Sequence, residues 1–240
     1  MDHFDRPNIL IAEDESSLGF LLKEHLRLAG FTMHLCKDGE DGWEVFQHEK
    51  FDLCVLDVNM PKKDGFQLAR DIRNIDQSVP IIFLTANSAE EDKLKGFEIG
   101  ADEYITKPFS VNEFIARIKA ILKRTQNNQH SLSREDVIVK AGNYEIDVSN
   151  HTLKVKDKTI RISSTEAGLF KILILNKNNV VARNSILLEV WGRADNFTAR
   201  NLDVYINRLR RILKEDSSIE IVNIHGAGFK LAEIASTGFE

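Results

Sequence analysis

The stretch Leu53-Cys54-Val55-Leu56-Asp57 is an apolar run that ends in an acid. Apolar runs also occupy residues 8–12, 81–84 and 104–106, and helix-length segments separate them. Continuous apolar strands of this kind are typical of a parallel sheet that is covered by helices on both faces. Such sheets bind ligands beyond the carboxyl ends of their strands. The sequence therefore predicts a doubly wound α/β domain whose chemistry lies at one edge of the sheet.

Each of these runs is followed by residues that can take part in phosphate chemistry. They are Glu13 and Asp14, Asp57, Thr85, and Lys107 before Pro108. Three carboxylates repel one another in a shared pocket unless a cation lies between them, and Mg²⁺ is the cation that best suits oxygen ligands. A carboxylate beside Mg²⁺ can attack a phosphoryl group, while an ammonium group neutralises the phosphoryl oxygens.

Residues 5–124 resemble a two-component receiver domain. The motifs that carry the resemblance are Glu13-Asp14, residues 56–65, Thr85-Ala86 and residues 100–109. The resemblance implies a flavodoxin-like sheet of five parallel strands and a phosphoacceptor at Asp57.

The same resemblance implies roles for the residues around the phosphoacceptor. Thr85 and Lys107 would contact the phosphoryl group, and the peptide bond before Pro108 would be cis. Mg²⁺ would be held by Asp14, by Asp57 and by the backbone carbonyl of Asn59, with Glu13 acting through water.

A switch and a dimer face also follow from the receiver resemblance. Thr85 would move toward the phosphate, and Tyr104 would turn inward. The dimer would use the fourth and fifth receiver helices and the last strand. The residues that match the inter-subunit ion pairs of the family are Lys93, Asp102, Glu103, Glu113, Arg117 and Arg124.

Charge divides the 240-residue chain, which is long enough for two domains. The net charge of −5 is the sum of −9 over residues 1–120 (14 basic, 23 acidic) and +4 over residues 121–240 (18 basic, 14 acidic). An acidic half joined to a basic half indicates a signalling part and a nucleic-acid part. We expect a receiver at 1–124, a flexible polar linker at 125–136, a DNA-binding domain at 137–234 and a tail at 235–240.

The composition predicts a cytoplasmic protein with no membrane association. No apolar run approaches the length of a membrane span, and the first residues lack a signal-peptide pattern. Cys36 and Cys54 lie in apolar runs, as expected for buried thiols in a reducing compartment.

The second half begins with short strands over residues 137–162, separated by turn residues. Ser163 and Glu166 have the spacing of a capping box, which predicts a helix that runs to about Leu175. A second helix is predicted to begin near Arg183 and to end before Trp191 and Gly192.

A third helix carries the most information, because its two faces differ. One face is a narrow apolar stripe of Leu202, Ile206, Leu209 and Leu213. The opposite face offers Arg200, Val204, Asn207, Arg208 and Arg211, with Arg210 on the flank. Guanidinium, amide and methyl groups are those that read base edges and grip phosphates.

Residues 219–231 read as a hairpin, and residues 137–234 therefore resemble the winged-helix effector domain of OmpR/PhoB-type regulators. The resemblance implies that Arg200 and Arg210 grip phosphates and that Val204 and Arg208 read bases. It also implies that the wing enters the minor groove, although His225 stands where members of the family usually carry Arg. The loop at 192–198 is a candidate contact for RNA polymerase.

Together these features predict a phosphorylation-activated transcriptional regulator with α/β and α+β winged helix-turn-helix parts. A partner histidine kinase would phosphorylate Asp57, the receiver would form a homodimer, and the effector domains would bind tandem half-sites on double-stranded DNA. Apart from slow autodephosphorylation, no enzymatic activity is expected.

Two other classes share some of these features. One is an Mg²⁺-dependent phosphatase with Asp57 as nucleophile, which needs an acid/base carboxylate two residues later, where Asn59 stands. The other is a DNA-binding module whose receiver only dimerises, without phosphorylation control.

Overall fold

A computed structural model describes residues 6–86, 96, 98–130 and 138–234, with the backbone alone at 124–130, 196 and 197. The chain divides into two compact units, Met1–Arg124 and Thr125–Glu240. In the described part of the chain, no helix is long and apolar enough to cross a membrane.

The first unit is built on a five-stranded parallel sheet. Its strands are β1 (Asn8–Ala12), β2 (Thr32–Cys36), β3 (Leu53–Asp57), β4 (Ile81–Thr85) and β5 (Glu103–Thr106). They lie in the order β2-β1-β3-β4-β5, with every pair parallel. The predicted flavodoxin-like fold is confirmed, and the carboxyl ends of β1, β3 and β4 lie along one edge.

Helices flank this sheet. They are α1 (Ser16–Leu28), α2 (Gly39–His48), α3 (Gly65–Ile75) and α4 (Val111–His130). The side chains of Asp38 and Asp64 cap α2 and α3 by accepting backbone N–H bonds, as Asp commonly does at a helix start. The predicted fourth receiver helix falls on residues around 87–97, most of which lie outside the described ones.

The prediction of a flexible linker is wrong for residues 125–130, because α4 continues through them to His130. No Pro or Gly occurs between Val111 and His130 to end the helix, and Lys, Arg and Gln favour it. The absence of apolar periodicity therefore did not identify a break here. Residues 131–136 of the predicted linker lie outside the described residues.

The second unit contains two antiparallel sheets. β6 (Ile138–Ala141), β7 (Tyr144–Asp147), β8 (Thr152–Val155) and β9 (Lys158–Arg161) form the first in chain order. β10 (Val181–Ala182), β11 (Ile219–Ile224) and β12 (Gly228–Glu233) form the second, in which β12 is central. The predicted strands and the hairpin are confirmed.

Three helices complete the second unit: α5 (Ser164–Leu175), α6 (Arg183–Trp191) and α7 (Asn196–Ile212). The predicted capping box is present, since the Ser163 and Glu166 side chains each accept the backbone N–H of the other residue. The apolar stripe of α7 is buried at Leu202, Ile206 and Leu209, so the opposite face of the helix is turned outward.

Candidate functional sites

An acidic pocket lies at the carboxyl edge of the parallel sheet. Carboxylate oxygens of Glu13, Asp14 and Asp57 all lie within 4.8 Å of one another. Glu13 and Asp57 are buried, whereas Asp14 is exposed. The topology brings these acids together because β1 and β3 are hydrogen-bonded neighbours that end at the same level.

Lys107 joins the two buried acids of this pocket. Its Nζ lies 2.5 Å from Asp57 Oδ2 and 2.8 Å from both carboxylate oxygens of Glu13. Burial works to lower the pKa of Lys107, but the hydrogen bonds to Asp57 and Glu13 outweigh it and raise that pKa. The residue follows β5 and precedes the cis peptide bond to Pro108, which confirms the expected isomer.

Glu13 has an unusual proton affinity for a carboxyl group. Burial raises the pKa of Glu13 to about 7, and the nearby charge of Asp57 adds to this, although the Lys107 hydrogen bond opposes it. Even with Lys107 beside it, a buried acid of this kind keeps its proton more readily than an exposed one, and a bound metal ion would favour the charged form.

The donors of the pocket suit a hard divalent cation. Oxygens from three carboxylates, one of them open to solvent at Asp14, match the ligands and the retained waters that Mg²⁺ prefers. Asn59 lies in the loop that follows β3, and its N–H donates to Asp57 Oδ1 at 3.0 Å. The metal role of the Asn59 carbonyl stays a prediction.

The predicted switch residues lie beside the pocket on adjacent strands. Thr85 is fully buried at the end of β4, and its carbonyl accepts the Lys107 N–H at 2.7 Å. Tyr104 is already turned inward, with 3% exposure and its ring centroid 5.3 Å from that of Phe83. Gly96 makes room for it, since a β-carbon there would lie 2.5 Å from the Tyr104 ring. The movement of the pair stays a prediction.

The residues proposed for the dimer face divide into three groups. Arg117 contacts both Glu103, at 3.3 Å, and Glu113 within the same chain. Lys93 and the side chain of Arg124 lie outside the described residues. Asp102 forms the third group.

The prediction of an inter-subunit ion pair at Asp102 is wrong for this conformation. Its side chain is fully buried, accepts the Ile81 N–H at 3.0 Å and lies 3.7 Å from the Arg73 guanidinium. Arg73 also donates to the carbonyls of Val79 and Gly100. A charge surrounded by internal partners in this way supports the loop before β4 instead of facing another subunit.

The outward face of α7 is the candidate nucleic-acid interface. Arg200, Asn207 and Arg211 are exposed, and Val204, Arg208 and Arg210 are half-buried. His225 is exposed in the turn between β11 and β12. The helix wheel therefore correctly kept these α7 residues out of the core, while the DNA contacts of α7 and of His225 stay predictions.

Two arginines of this face have partners that the wheel does not reveal. Arg208 Nε lies 2.8 Å from Glu166 Oε1, a carboxylate that is 2% exposed at the start of α5. Arg210 Nε donates to the Ile221 carbonyl of β11 at 3.0 Å. Each bond holds the guanidinium group at its Nε and so restricts where its two terminal nitrogens point.

Sequence reasoning did not single out Arg183, which connects three parts of the winged unit. It begins α6, donates to the Ala199 carbonyl and to Asp203 of α7, and lies 5.0 Å over the Phe229 ring of β12. The sequence placed it only at the start of the second helix, and its partners depend on how α6, α7 and β12 pack together.

A phosphoacceptor-like pocket on a flavodoxin-like sheet, joined to a winged helix, defines the class of response regulators with a DNA-binding effector. Comparison with known families agrees: residues 9–119 match the response regulator receiver domain, and residues 157–231 match the C-terminal domain of transcriptional regulatory proteins. The chain belongs to the two-component response regulators of the OmpR/PhoB type and has the architecture of a transcription factor.

Relatives of full length support this assignment. The chain is 44% identical over 231 residues to the transcriptional regulatory protein RprY of Bacteroides fragilis, covering 96% of this chain and 97% of RprY. It is 35% identical to the sensory transduction protein RegX3 of Mycolicibacterium smegmatis, covering 93% and 98%.

Solved structures of regulators match the chain as well. A single-site mutant of RitR matches with a TM-score of 0.74 and 25% identity, covering 95% of this chain and all of that one. DrrB, an OmpR/PhoB homologue of Thermotoga maritima, matches with a TM-score of 0.50, 28% identity and the same coverage.

Proposed function

We propose that this regulator acts in the cytoplasm and is switched on by phosphorylation of Asp57, in an Mg²⁺-dependent transfer from a histidine kinase. The phosphorylated receiver forms a homodimer, and the paired effector units bind tandem half-sites on DNA. Bound Mg²⁺ would neutralise phosphoryl oxygens while the carboxylate attacks.

The observation that carries this proposal is the position of Lys107 between Asp57 and Glu13. Asp57 has one oxygen bonded to Lys107 and the other to the Asn59 N–H. Its carboxylate is thereby oriented in a pocket that is open on the side of Asp14. The ammonium group of Lys107 can move its hydrogen bond from the Asp57 carboxylate to an incoming phosphoryl oxygen. It would thus stabilise the developing negative charge with a group that is already in place.

Several residues of the chain would share the work of the transfer. Glu13, Asp14 and Asp57 would hold the cation, and the hydroxyl group of Thr85, buried at the end of β4, would donate a hydrogen bond to the new phosphate. An Mg²⁺-dependent phosphatase is disfavoured because Asn59 occupies the position of the acid/base carboxylate. Slow autodephosphorylation is the only turnover that we expect.

The experiment is phosphorylation of wild type and Asp57→Asn by acetyl phosphate with Mg²⁺, followed by intact-mass measurement. Wild type should gain one phosphoryl group and the variant none, because an amide is a poor nucleophile and a weaker metal ligand. Asp52→Asn, on the exposed turn before β3, is the matched control and should be phosphorylated like wild type. Stoichiometric phosphate on another pocket residue of Asp57→Asn would refute the assignment.

A further inference from the structure

The loop between β3 and α3 contains a lysine in a backbone conformation that residues other than glycine rarely adopt. Lys62 has φ of 64°, in the left-handed region where a β-carbon crowds the carbonyl. Its Nζ lies 2.7 Å from Asp38 Oδ2. The Lys62 side chain is half exposed, whereas that of Asp38 is 4% exposed. An exposed lysine therefore reaches back to a buried carboxylate.

The carboxylate of Asp38 is held in place by the backbone of α2. It precedes α2, and its Oδ1 accepts the N–H groups of Glu40 and Asp41 at 3.0 and 2.9 Å. The backbone N–H of Asp41, together with Lys62, lowers the pKa of Asp38 below its ordinary value. A carboxylate that is held by a helix N-terminus gives the lysine a partner that does not move.

Two further contacts hold the loop against its neighbours. A β-carbon on Gly39 would collide with the Lys63 carbonyl oxygen, so the start of α2 touches the loop backbone directly. Lys63 Nζ lies 2.5 Å from Asp71 of α3 and 5.2 Å from the centroid of the Trp43 ring. The loop is thus held between α2 and α3.

The other end of this loop is the phosphoacceptor itself. The Asn59 N–H donates to Asp57 Oδ1 at 3.0 Å, and the Gly65 N–H donates to the Val58 carbonyl at 3.1 Å. A β-carbon on Gly65 would collide with the Asp57 carbonyl oxygen. The short loop therefore closes on itself, and only Met60 and Pro61 separate Lys62 from Asn59 within it.

We propose that Asp38 and Lys62 form a brace that positions the Asn59 backbone for the cation of the acidic pocket. This inference rests on the proposed Mg²⁺-dependent phosphorylation. The ion pair offsets the cost of the left-handed backbone and keeps the loop in one conformation. Asp38 and Lys62 are positioning residues, since neither belongs to the carboxylate cluster that would touch the cation.

The experiment compares full-length wild type with Lys62→Met, Lys62→Gly and Asp38→Asn. Mg²⁺ binding is measured by calorimetry, and amide exchange of Asn59 and Lys63 is measured in the metal-free protein. Lys62→Met keeps the strained backbone without the ion pair, Lys62→Gly removes both, and Asp38→Asn keeps the helix cap. Arg27→Met removes an exposed ion pair with Glu24 in the same unit and is the control.

All three variants should bind Mg²⁺ roughly tenfold more weakly, at the low end of the loss typical for groups that orient metal ligands. Their loop amides should exchange faster, and Arg27→Met should match wild type in both measurements. Glycine should weaken binding at least as much as methionine because it frees the backbone further. If backbone strain alone mattered, glycine would instead bind like wild type.

Two results would overturn the brace. One is Mg²⁺ affinity within about twofold of wild type in all three variants, compared with the larger losses expected for a positioning group. The other is a lower unfolding temperature with unchanged Mg²⁺ affinity and loop exchange, as for a merely stabilising ion pair. Absence of Mg²⁺ binding by wild type would refute the proposed function, while the exchange data would still decide whether the ion pair holds the loop.

Discussion

At the residue scale, Lys107 supplies positive charge to the buried acids of the pocket, a task that a metal ion would otherwise perform alone. It brings a positive charge to within 2.8 Å of Glu13 and 2.5 Å of Asp57, so the buried acids are partly compensated in the absence of a cation. Removal of Lys107 would leave Glu13 and Asp57 buried without their ammonium partner, and uncompensated buried charge is strongly destabilising in proteins. The pocket is therefore preorganised for the proposed phosphoryl transfer.

Glu13 makes the affinity of this pocket for Mg²⁺ dependent on pH. Burial raises the pKa of Glu13 to about 7, and a metal ligand must lose its proton. We expect Mg²⁺ affinity to rise between about pH 6 and pH 8 and then to level off. Calorimetry in buffers of different ionisation enthalpy counts the proton released. Glu13→Gln, which does not titrate, should show no such rise; an equal rise in the variant would contradict this assignment.

The same group has the opposite effect on the metal-free protein. Its folded-state pKa of about 7 lies above the ordinary value of 4.5, so the proton on Glu13 stabilises the folded state. That contribution is complete below pH 4.5 and is lost as the pH rises through about 7. Added Mg²⁺ should restore stability at the higher pH, because it binds only the folded pocket.

The sequence predicted the pocket but not its internal contacts. Strand-end positions were enough to bring Glu13, Asp57 and Lys107 together, because parallel strands end at one edge. The partner of Lys62 could not be predicted, since it depends on the path of a loop past α2. Asp102 was assigned outward by resemblance, whereas the buried guanidinium of Arg73 draws it inward.

At the scale of the element, α7 combines a packed face with a basic one. The wheel identified the buried stripe because 3.6-residue periodicity depends only on local spacing. It could not show that Arg208 meets Glu166, because that contact is set by how α7 packs on α5. The bond uses Nε of Arg208, the nitrogen nearest the chain, and so orients the end of the guanidinium group.

Arg208 is expected to carry sequence discrimination. Arg208→Ala should cost roughly 1–3 kcal/mol on a duplex selected by wild type from a random library, and much less on scrambled DNA. Arg211→Ala, from the exposed edge of the same helix, is the comparison. It should weaken both duplexes similarly and reduce the salt dependence by about one unit.

Titrations of both duplexes across a range of salt concentrations check this assignment. Equal losses on the two DNAs for Arg208→Ala would show that the side chain is no base reader and that its bond to Glu166 is structural. Arg210 is a less suitable test of phosphate contact, because its removal also frees the Ile221 carbonyl of the wing. Arg208→Ala likewise frees the Glu166 carboxylate, and for that reason its effect is judged only by the difference between the two duplexes.

On the scale of the whole molecule, two units of opposite charge divide the labour. The acidic half contains the pocket, and the basic half contains the winged helix. A receiver dimer would bring two effector units together, so that modest affinity for each half-site becomes strong binding to a tandem site. In the proposed function, dimerisation is therefore the step that would connect phosphorylation of Asp57 with DNA binding.

Glu113 and Lys93 should form a contact between the subunits of that dimer. Glu113→Lys should weaken the dimer phosphorylated by acetyl phosphate on the order of tenfold, since a two-fold axis repeats each exposed pair and each is worth about 0–1 kcal/mol. Adding Lys93→Glu should partly restore it. Sedimentation equilibrium of the phosphorylated full-length proteins gives the dimer dissociation constants.

The control for this test must separate the interface from the contacts that Glu113 makes in its own chain. Glu113 pairs with Arg117 one helical turn later, much as Glu24 pairs with Arg27 on α1. Glu24→Lys therefore breaks a comparable exposed pair away from the proposed face and should leave the dimer unchanged. If Lys93→Glu does not offset Glu113→Lys, or if Glu24→Lys weakens the dimer equally, charge pairing at this face does not set the register of the dimer.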